Sequence, residues 1–391
     1  MKFRVLLQSL CIVLTAGVCS CSKSDSDPSV NPVETNRTVL VYIAANNSLG
    51  VNGNDEKDLS EMKRAVLNGA LGTNNRLIIY HAAADGSQNL FEMVPDGSLN
   101  LLTAYDGSQS SVSAARMLTV MNDAKRFAPA KDYGLIMWSH ALGWTQNGVN
   151  EDASNVTVKT WGDDRGMKMN ITTLRQVLAQ SPWRWIYFDC CFMGSVEVAF
   201  ELSEVTDIMV ASATEVPLDG MPYDKNLALF FKPDVDLIQA AQNTFDYYDG
   251  LTGSNRTCTI GVYDLTAMQG LAEATLSIYQ KSTKVGVNDF PNLPLETYMT
   301  ATPCRYYDLG VYVDGLCKTN NLDESLWMVW KGIYDRTIMF SKATPRLWNI
   351  IDLSDFTGMS TFIPDGPDDV DKYGYDTLLW YQLVAKWLYD K

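Results

Sequence analysis

Short apolar runs alternate with amphipathic segments along most of this chain. Continuous apolar runs with β-branched and aromatic residues predict strands buried on both faces, at 38–44, 77–80, 133–138, 185–188, 208–211 and 258–263. Apolar residues at helical spacing predict helices at 58–70, 113–128, 171–180, 196–202, 237–248 and 265–279. This alternation predicts an α/β fold, a three-layer sandwich with a mostly parallel sheet of six or more strands.

Three segments interrupt the pattern. Residues 21–36 are polar and contain two prolines, which predicts a flexible tether before a main domain at 37–281. Residues 147–169 have the composition of a loop. Prolines within 282–296 indicate a boundary, after which 282–391 is rich in aromatic residues. We expect this last segment to form a smaller C-terminal subdomain packed on the main domain.

The first twenty residues have the features of an export signal. Lys2 and Arg4 precede an apolar stretch at 5–18, which is too short to span a bilayer as a mature helix. Residues 1–20 are therefore predicted to be a signal peptide.

The end of this signal is similar to a bacterial lipoprotein processing site. A small residue, Ser20, precedes Cys21, and a polar run follows. Cys21 is the predicted lipidated residue, with Cys19 as the second choice and an ordinary signal peptide as the alternative. We therefore expect an exported protein that is anchored to the membrane through the lipid, at the cell envelope or surface, or is secreted.

Charge and composition exclude several functions. The full chain has a net charge of −15, and loss of Lys2 and Arg4 with the signal would make it −17. Such a surface does not suit nucleic acid, whose phosphates require basic partners. Five cysteines after Cys21 are too few for a disulfide scaffold, and the presence of only two histidines and no CxxC motif argues against a zinc site. We expect no metal and no cofactor, and a monomer.

Candidate catalytic side chains follow two of the predicted strands. His140 comes just after the third strand, and Cys190 and Cys191 come just after the fourth. Carboxyl ends of parallel strands meet at one sheet edge, and consecutive strands tend to be neighbours. His140 and one thiol should therefore lie side by side, as a base and a nucleophile.

The spacing does not decide which thiol faces His140. Adjacent residues of a strand point to opposite faces, so only Cys190 or Cys191 can do so. Cys191 directly precedes a predicted helix over 192–202. A helix N-terminus would lower the pKa of its thiol and favour the nucleophilic thiolate.

Four segments carry a resemblance to the clostripain family of cysteine peptidases. The segment 138–144, WSHALGW, is similar to the family's W-S-H-G-x-G-W, and 188–194, FDCCFMG, followed by Glu197, is similar to F-D-A-C-L-M-x-x-x-E-V. Asp264-Leu265 and 358–364 resemble two later family segments. The resemblance extends over about residues 37–391 and implies a caspase-like fold.

The resemblance implies particular roles for the catalytic residues. It assigns the nucleophile to Cys191, with Cys190 at the family's alanine, and the base to His140 in a Cys-His dyad. Backbone N–H groups of Ala141 and Cys191 would bind the oxyanion. Ala141 stands where the family pattern has glycine.

The resemblance also implies cleavage after Arg or Lys, with acidic residues in the S1 pocket. Asp189 matches one such position, and Glu215 and Asp219 follow the fifth strand, where the pocket wall should lie. A buried carboxylate would give charge-assisted specificity for a basic side chain. The alternative is that Asp189 caps the next helix and that Asp219 belongs to a turn before Gly220.

Many members of the family cleave themselves between the histidine and the cysteine. Arg165 is the preferred processing site here and Lys168 a second candidate, which implies a zymogen. Calcium dependence occurs in some relatives, and Asp152, Asp163 and Asp164 offer oxygen atoms without an EF-hand spacing.

The predicted function is a cysteine endopeptidase that acts on proteins or peptides with a basic P1 residue. A catalytically weak or inactive surface lipoprotein that binds a peptide or partner through the same fold is the alternative. An acyltransferase with a Cys-His dyad is a third hypothesis, which no specific feature of the sequence supports.

Overall fold

The structure is a computed structural model, and it describes residues 34–144, 161–290, 306–364 and 366–389. No helix within these ranges is both long and apolar enough to cross a bilayer. Cys21, the predicted lipidated residue, lies outside the described residues, as do Asp152 and the prolines at 291 and 294.

Fifteen strands and twelve α-helices are defined in the described ranges. The strands are β1 (Thr35–Ala44), β2 (Asn75–Ala82), β3 (Gln88–Met93), β4 (Leu99–Tyr105), β5 (Ala130–Trp138), β6 (Trp161–Asp164), β7 (Met167–Met169), β8 (Trp183–Asp189), β9 (Ile208–Ala211), β10 (Thr259–Asp264), β11 (Tyr306–Asp308), β12 (Ile338–Ala343), β13 (Arg346–Leu347), β14 (Ile351–Asp352) and β15 (Ser360–Phe362). The helices are α1 (Ser48–Val51), α2 (Asn54–Leu67), α3 (Ala114–Phe127), α4 (Ile171–Leu178), α5 (Val196–Glu201), α6 (Tyr223–Phe230), α7 (Leu237–Asp249), α8 (Met268–Tyr279), α9 (Leu309–Thr319), α10 (Glu324–Thr337), α11 (Pro367–Tyr373) and α12 (Lys386–Tyr389).

Nine of these strands form one sheet in the order β12-β10-β9-β8-β5-β1-β2-β3-β4. The five central strands, from β9 to β2, are parallel to one another. Antiparallel strands complete both edges, β3 and β4 beside β2 and β10 and β12 beside β9. The predicted α/β fold with a mostly parallel sheet of six or more strands is confirmed.

Each face of the sheet is covered by its own hydrophobic core. Along β1, Leu40 and Tyr42 enter one core, whereas Val39 and Val41 enter the other, as the period of two in a strand requires. Residues of α2, α6 and α7 line the second core, and those of α3, α4, α5, α8 and α9 line the first. Burial on both faces explains why the central strands are uninterrupted apolar runs.

Several strands were not predicted. The β3–β4 hairpin was missed because β4 is largely exposed and lacks an apolar run. The segment 147–169 was expected to be a loop, yet 161–169 contains the short β6–β7 hairpin. The sheet also begins at Thr35, so the last two residues of the predicted tether belong to β1. Such short or exposed strands depend on their pairing partners, which local periodicity does not reveal.

The predicted C-terminal subdomain contributes directly to the sheet. β12 pairs with β10, so residues on both sides of position 282 contribute strands to the same nine-stranded sheet. The division at residue 282 stays a prediction. The aromatic content of this segment forms a cluster in which Trp144 stacks on Tyr375 and meets Phe362 edge-on, each with ring centroids 4.9 Å apart. The cluster connects the C-terminal segment to the chain just beyond His140.

One buried carboxylate ties this segment to α5. Glu197 is fully buried, and its Oε1 accepts hydrogen bonds from Thr361 Oγ1 at 2.9 Å, from the Phe362 N–H at 2.8 Å and from Tyr375 Oη at 3.4 Å. Burial is the main cause of a raised pKa for Glu197. β15 is thereby held beside the turn that follows the candidate nucleophile, where the Ser360 N–H donates to the Gly194 carbonyl at 3.0 Å.

Replacement of Glu197 should destabilise the fold. We expect Glu197→Ala to lower the free energy of unfolding by about 2–4 kcal/mol, because it leaves three buried donors without an acceptor. Glu197→Gln keeps an acceptor oxygen and should cost less. Since the pKa of Glu197 is raised in the fold, its protonation adds stability that is lost as pH rises through the native pKa. Denaturant unfolding between pH 5 and 8 measures both effects, and equal losses for the two variants would contradict this account.

Candidate active site

The pairing of β5 with β8 brings the ends of two candidate segments to one edge of the sheet. The two strands are parallel, and their last paired residues are Trp138 and Asp189. His140 and Cys191 each follow two residues after this pair. The expected neighbouring strands are therefore present, and both residues leave the sheet at the same level.

His140 is held by the first residue of α1, the short helix that follows β1. Ser48 Oγ lies 2.9 Å from His140 Nε2. The His140 side chain is half-buried, and burial lowers the pKa of its imidazole, opposed by the carboxylate of Asp163 and aided by the ammonium of Lys168. The ring is therefore neutral at neutral pH and able to accept a proton. The sequence did not single out Ser48, which begins α1 four residues after the end of β1, at the sheet edge where functional side chains gather.

Side chains around His140 fix its backbone. Ser139 Oγ donates to the Ala44 carbonyl at 2.8 Å and accepts from the Asp163 N–H at 3.0 Å. Asn47 Nδ2 donates to the carbonyls of Ala44 and Asp163 at 2.9 and 2.8 Å. These bonds connect the ends of β1, β5 and β6 into one unit around the imidazole.

Cys191 Sγ is engaged by the backbone of Val216. The Val216 N–H donates to Sγ at 3.3 Å, and the Val216 carbonyl oxygen lies 3.9 Å from Sγ. Burial raises the pKa of the thiol to about 11; the Val216 N–H lowers it, whereas the carboxylates of Glu215 and Asp189 raise it further. Cys191 is therefore a thiol at neutral pH in this arrangement.

The expected helix-terminal thiolate is wrong. α5 begins at Val196 and is capped by Ser195, so a four-residue turn separates it from Cys191. Cys191 is therefore not in the first turn of α5, to which the effect of a helix N-terminus is largely confined. The wider of the two predicted ranges for this helix, 192–202, was too long because Phe192 and Met193 are apolar yet belong to the turn, whereas the range 196–202 agrees with α5.

That turn is held in a strained conformation. Phe192 has φ 60°, a left-handed value that is rare for a bulky side chain. The Phe192 N–H donates to the Thr214 carbonyl at 2.9 Å, and the Phe192 ring stacks on Tyr306. The Gly194 N–H donates to the Ser212 carbonyl at 2.7 Å. Strain of this kind persists only where neighbours impose it, and it is concentrated at functional sites.

The two adjacent cysteines have different environments. Cys190 is 2% exposed and belongs to the first hydrophobic core, where burial raises its pKa far above the usual value. Cys191 is half-buried and leaves the sheet on the side of Val216. Only Cys191 of this pair has access to solvent, which is consistent with its predicted role.

The backbone at position 141, where the family pattern has glycine, accommodates alanine. It is absent from the described non-glycine residues with positive φ, so its backbone requires no conformation reserved for glycine. Ala141 bridges Trp161, and the Gly162 N–H donates to the His140 carbonyl at 2.9 Å. In such a bridge Ala141 and Trp161 form the non-hydrogen-bonded pair, which directs the Ala141 N–H away from β6.

A cavity beside Cys191 contains one buried carboxylate. Its lining includes Asp189, Glu215, Val216, Gly220, Met221 and Tyr248. Asp189 accepts from the Met221 N–H and from Tyr223 Oη, each at 3.0 Å, so it does not cap α5. Burial raises the pKa of Asp189 to about 6, although both hydrogen bonds lower it.

A glycine is required where this carboxylate meets the cavity wall. Gly220 closes the turn from Pro217 with φ 61°, and a Cβ there would lie 3.0 Å from Asp189 Oδ2. Glu215 also lines the cavity and accepts a hydrogen bond from Trp348 Nε1. Asp219 is not among the lining residues; it forms an ion pair with Lys57 and accepts from Tyr247 Oη at 2.8 Å.

The two candidate processing residues lie in the β6–β7 hairpin. Arg165 and Gly166 form its turn with φ 55° and 81°, and the Arg165 N–H donates to the Asn46 carbonyl at 2.9 Å. Lys168 is on β7, 3.8 Å from an oxygen of Asp163. Processing at either residue stays a prediction, and at Arg165 it would require this turn to open.

The acidic residues considered for calcium are engaged in hydrogen bonds. Asp163 accepts from the Gly166 N–H at 2.8 Å, and Asp164 accepts from Asn46 Nδ2 at 2.8 Å and the Ser111 N–H at 2.5 Å. Elsewhere, Asp55, Glu56 and His81 each place one possible ligand atom within 4.8 Å of the others, and His81 Nε2 lies 2.7 Å from Asp55 Oδ2. Metal and cofactor dependence stays a prediction.

The fold and site agree with a known protease family. The model of the clostripain family matches residues 41–389, which is most of the chain. The chain therefore belongs to the clostripain family, and it is a cysteine protease. No curated protein matches the sequence.

Solved structures of C11 proteases have the same fold. An inactive zymogen from Parabacteroides distasonis is 24% identical, with a TM-score of 0.76 over 90% of this chain and 99% of that chain. A secreted C11 cysteine protease from Bacteroides thetaiotaomicron is 24% identical, with a TM-score of 0.77 over 90% and 99% of the two chains. A secreted C11 cysteine protease from Bacteroides thetaiotaomicron in complex with an irreversible peptide inhibitor is 25% identical, with a TM-score of 0.74 over 89% of this chain and 99% of that chain.

Alkylation should report the state of the Cys191 thiol. With a pKa of about 11, its reaction with iodoacetamide should be slow at pH 7 and rise about tenfold per pH unit up to about pH 10. Cys191→Ala gives the background from the other cysteines. A labelling rate that levels off near neutral pH would contradict the protonated thiol.

Proposed function

We propose that the protein is an endopeptidase in which Cys191 is the nucleophile and His140 is the general base. The observation that carries this proposal is the parallel pairing of β5 and β8, after which both residues leave the sheet at the same level. Their environments support it, since the thiol is partly accessible and the imidazole is neutral.

The reaction begins from an uncharged thiol and an uncharged imidazole. As substrate binds, His140 accepts the Cys191 proton while the sulfur attacks the carbonyl carbon of the scissile bond. The imidazolium then protonates the leaving amine as the C–N bond breaks. Water, deprotonated by His140, hydrolyses the resulting thioester and restores the thiol. Val216 must release Sγ for this attack, so we place the resting contact with Val216 before substrate binding.

Backbone N–H groups of Ala141 and Cys191 stabilise the oxyanion in this proposal. The direction of the Ala141 N–H, away from β6, supports its part. Donors fixed before the reaction stabilise the developing charge without a reorganisation cost, and one such donor is worth about 3 kcal/mol. The methyl group of Ala141 is compatible with this role, because the N–H is unchanged.

Asp189 provides the preference for Arg or Lys at P1. It is 6% exposed, lines the cavity beside Cys191, and has no ion-pair partner among the described residues. A carboxylate that accepts two hydrogen bonds, as Asp189 does, retains lone pairs that can accept from a third donor. An incoming ammonium or guanidinium would offset the cost of keeping this charge buried. Glu215, on the cavity wall, adds negative charge.

We also propose that the protein is exported, lipid-anchored through Cys21, and activated by cleavage between His140 and Cys191. The charged start, apolar stretch and Cys21 context support export and anchoring. The inactive zymogen among the similar structures supports the existence of a precursor form. Cleavage at Arg165 requires an extended backbone at the scissile bond, so the turn from Asp164 to Met167 would have to open first.

Removal of the nucleophile should abolish activity. We expect Cys191→Ala to lower kcat/KM for peptide cleavage by about 10⁴-fold or more, and His140→Gln to have a similar effect, because the two residues act as a unit. Cys190→Ala is the matched control: it restores the alanine of the family pattern and should retain activity. Peptide hydrolysis and the intact mass of the chain measure cleavage and self-processing. Activity surviving in Cys191→Ala would contradict the assignment.

Asp189 should control the P1 preference and its pH dependence. We expect Asp189→Asn to reduce the ratio of kcat/KM for arginine over norleucine at P1 by about 10- to 100-fold, the value of a charge-assisted hydrogen bond. In the wild type this ratio should fall as pH decreases through about 6, because protonation neutralises Asp189. The ratio cancels effects of His140 titration common to both substrates. An unchanged ratio in the variant would exclude Asp189 as the P1 acid.

A further inference from the structure

One face of α2 contacts the segment 218–224, which includes Gly220 and Met221 of the cavity lining. Four α2 side chains spaced by three, four and three residues, as one helix face requires, contact the segment 218–224. The contacts are Asn54 Nδ2 with the Leu218 carbonyl at 2.9 Å, Lys57 with Asp219, Glu61 Oε2 with the Tyr223 N–H at 3.1 Å, and Arg64 with Asp224 at 3.8 Å. The segment that contributes Gly220 and Met221 to the cavity is thus positioned by α2.

The Lys57 contact neutralises one of the pocket's candidate acids. Lys57 Nζ binds Asp219 Oδ1, and Tyr247 Oη donates to Asp219 Oδ2 at 2.8 Å, so both carboxylate oxygens have a donor. Although burial alone would raise it, Lys57 and Tyr247 hold the pKa of Asp219 below its ordinary value. Asp219 is therefore ionised and matched by a positive charge from the protein itself.

Asp219 lies at the rim of the cavity rather than at its base. Its neighbours Pro217 and Gly220 line the cavity, and the Gly220 carbonyl accepts from Tyr248 Oη at 2.6 Å. The side chains of Lys57 and Asp219 are 40% and 44% exposed, whereas Asp189 is 6% exposed. A charge at the rim acts on a P1 cation through the electrostatic field, while Asp189 can bind it directly.

We propose that Lys57 is a specificity-determining residue of this protease. Its ammonium cancels the charge of Asp219, so the selectivity for a basic P1 residue depends on Asp189 and Glu215 and is weaker than three acids would give. This inference rests on the proposed preference for Arg or Lys at P1. It predicts that selectivity follows the net charge of the Lys57–Asp219 pair and not the presence of Asp219 itself.

A charge series tests this role of Lys57. The readout is the ratio of kcat/KM for arginine over norleucine at P1, measured at low ionic strength because salt screens exposed charges. We expect Lys57→Met to raise the ratio about two- to fivefold and Asp219→Asn to lower it by a similar factor, the range expected for one exposed charge. The Lys57→Met/Asp219→Asn double variant should return to the wild-type ratio, and Lys57→Arg should keep it.

Lys63 offers a matched control on the same helix. It is exposed, and no ion pair of Lys63 occurs among the described residues, so Lys63→Met removes one positive charge from α2 without touching the 218–224 segment. We expect Lys63→Met to leave the ratio unchanged. Thermal unfolding of each variant confirms that the fold is intact.

Each alternative outcome has a distinct meaning. If the double variant stays as low as Asp219→Asn, Asp219 binds P1 directly and the proposal is overturned. If Lys57→Met behaves like Lys63→Met, or alters both substrates equally, Lys57 has no part in selectivity. A wild type that does not prefer arginine would contradict the proposed P1 specificity and this inference together, whereas a wild type with that preference and an unresponsive Lys57→Met would contradict the inference alone.

Discussion

The parallel pairing of β5 with β8 is the constraint on which the candidate active site depends. It sets Trp138 opposite Asp189, and from these positions the chain continues to His140 on one strand and Cys191 on the other. Gly134 leaves room for the indole ring of Trp185 on the neighbouring strand, since a Cβ there would lie 2.1 Å from Cζ2 of Trp185. Because both strands are buried on each face, their register cannot slip without turning apolar residues toward the wrong core.

The turns beyond these strands are held by hydrogen bonds from neighbouring strand ends. Asn47 and Ser139 join the loops after β1, β5 and β6 around His140, and the turn at Phe192 is held against residues 212–214. This framework supports a left-handed Phe192 that its own preference would not favour. Preorganisation of this kind keeps the reacting groups in place, while their burial keeps the thiol and the imidazole uncharged at rest.

Charge in the pocket is distributed by depth. Asp189 is buried, bound by two neutral donors, and retains a raised pKa, so under the proposed P1 preference it is the carboxylate from which an entering cation would gain most. Asp219 at the rim already has a cation in Lys57. Exposed ion pairs contribute little to stability, so Lys57 and Asp219 can vary with small cost to the fold, which makes the rim a suitable place for changes in selectivity.

The central strands, the helices between them and the candidate residues at the strand ends could be predicted from the sequence alone, because burial on two faces produces an apolar pattern that is recognisable without knowledge of the pairing partner. The similarity of two motifs selected Cys191 over Cys190. Three features became apparent only in the folded chain: β12 joins the sheet, the turn after Cys191 is not helical, and Asp219 pairs with Lys57, 162 residues away in sequence. These features arise from long-range contacts. Local periodicity reports only which side of an element is buried, and it does not identify the partner of a charged side chain or of an edge strand.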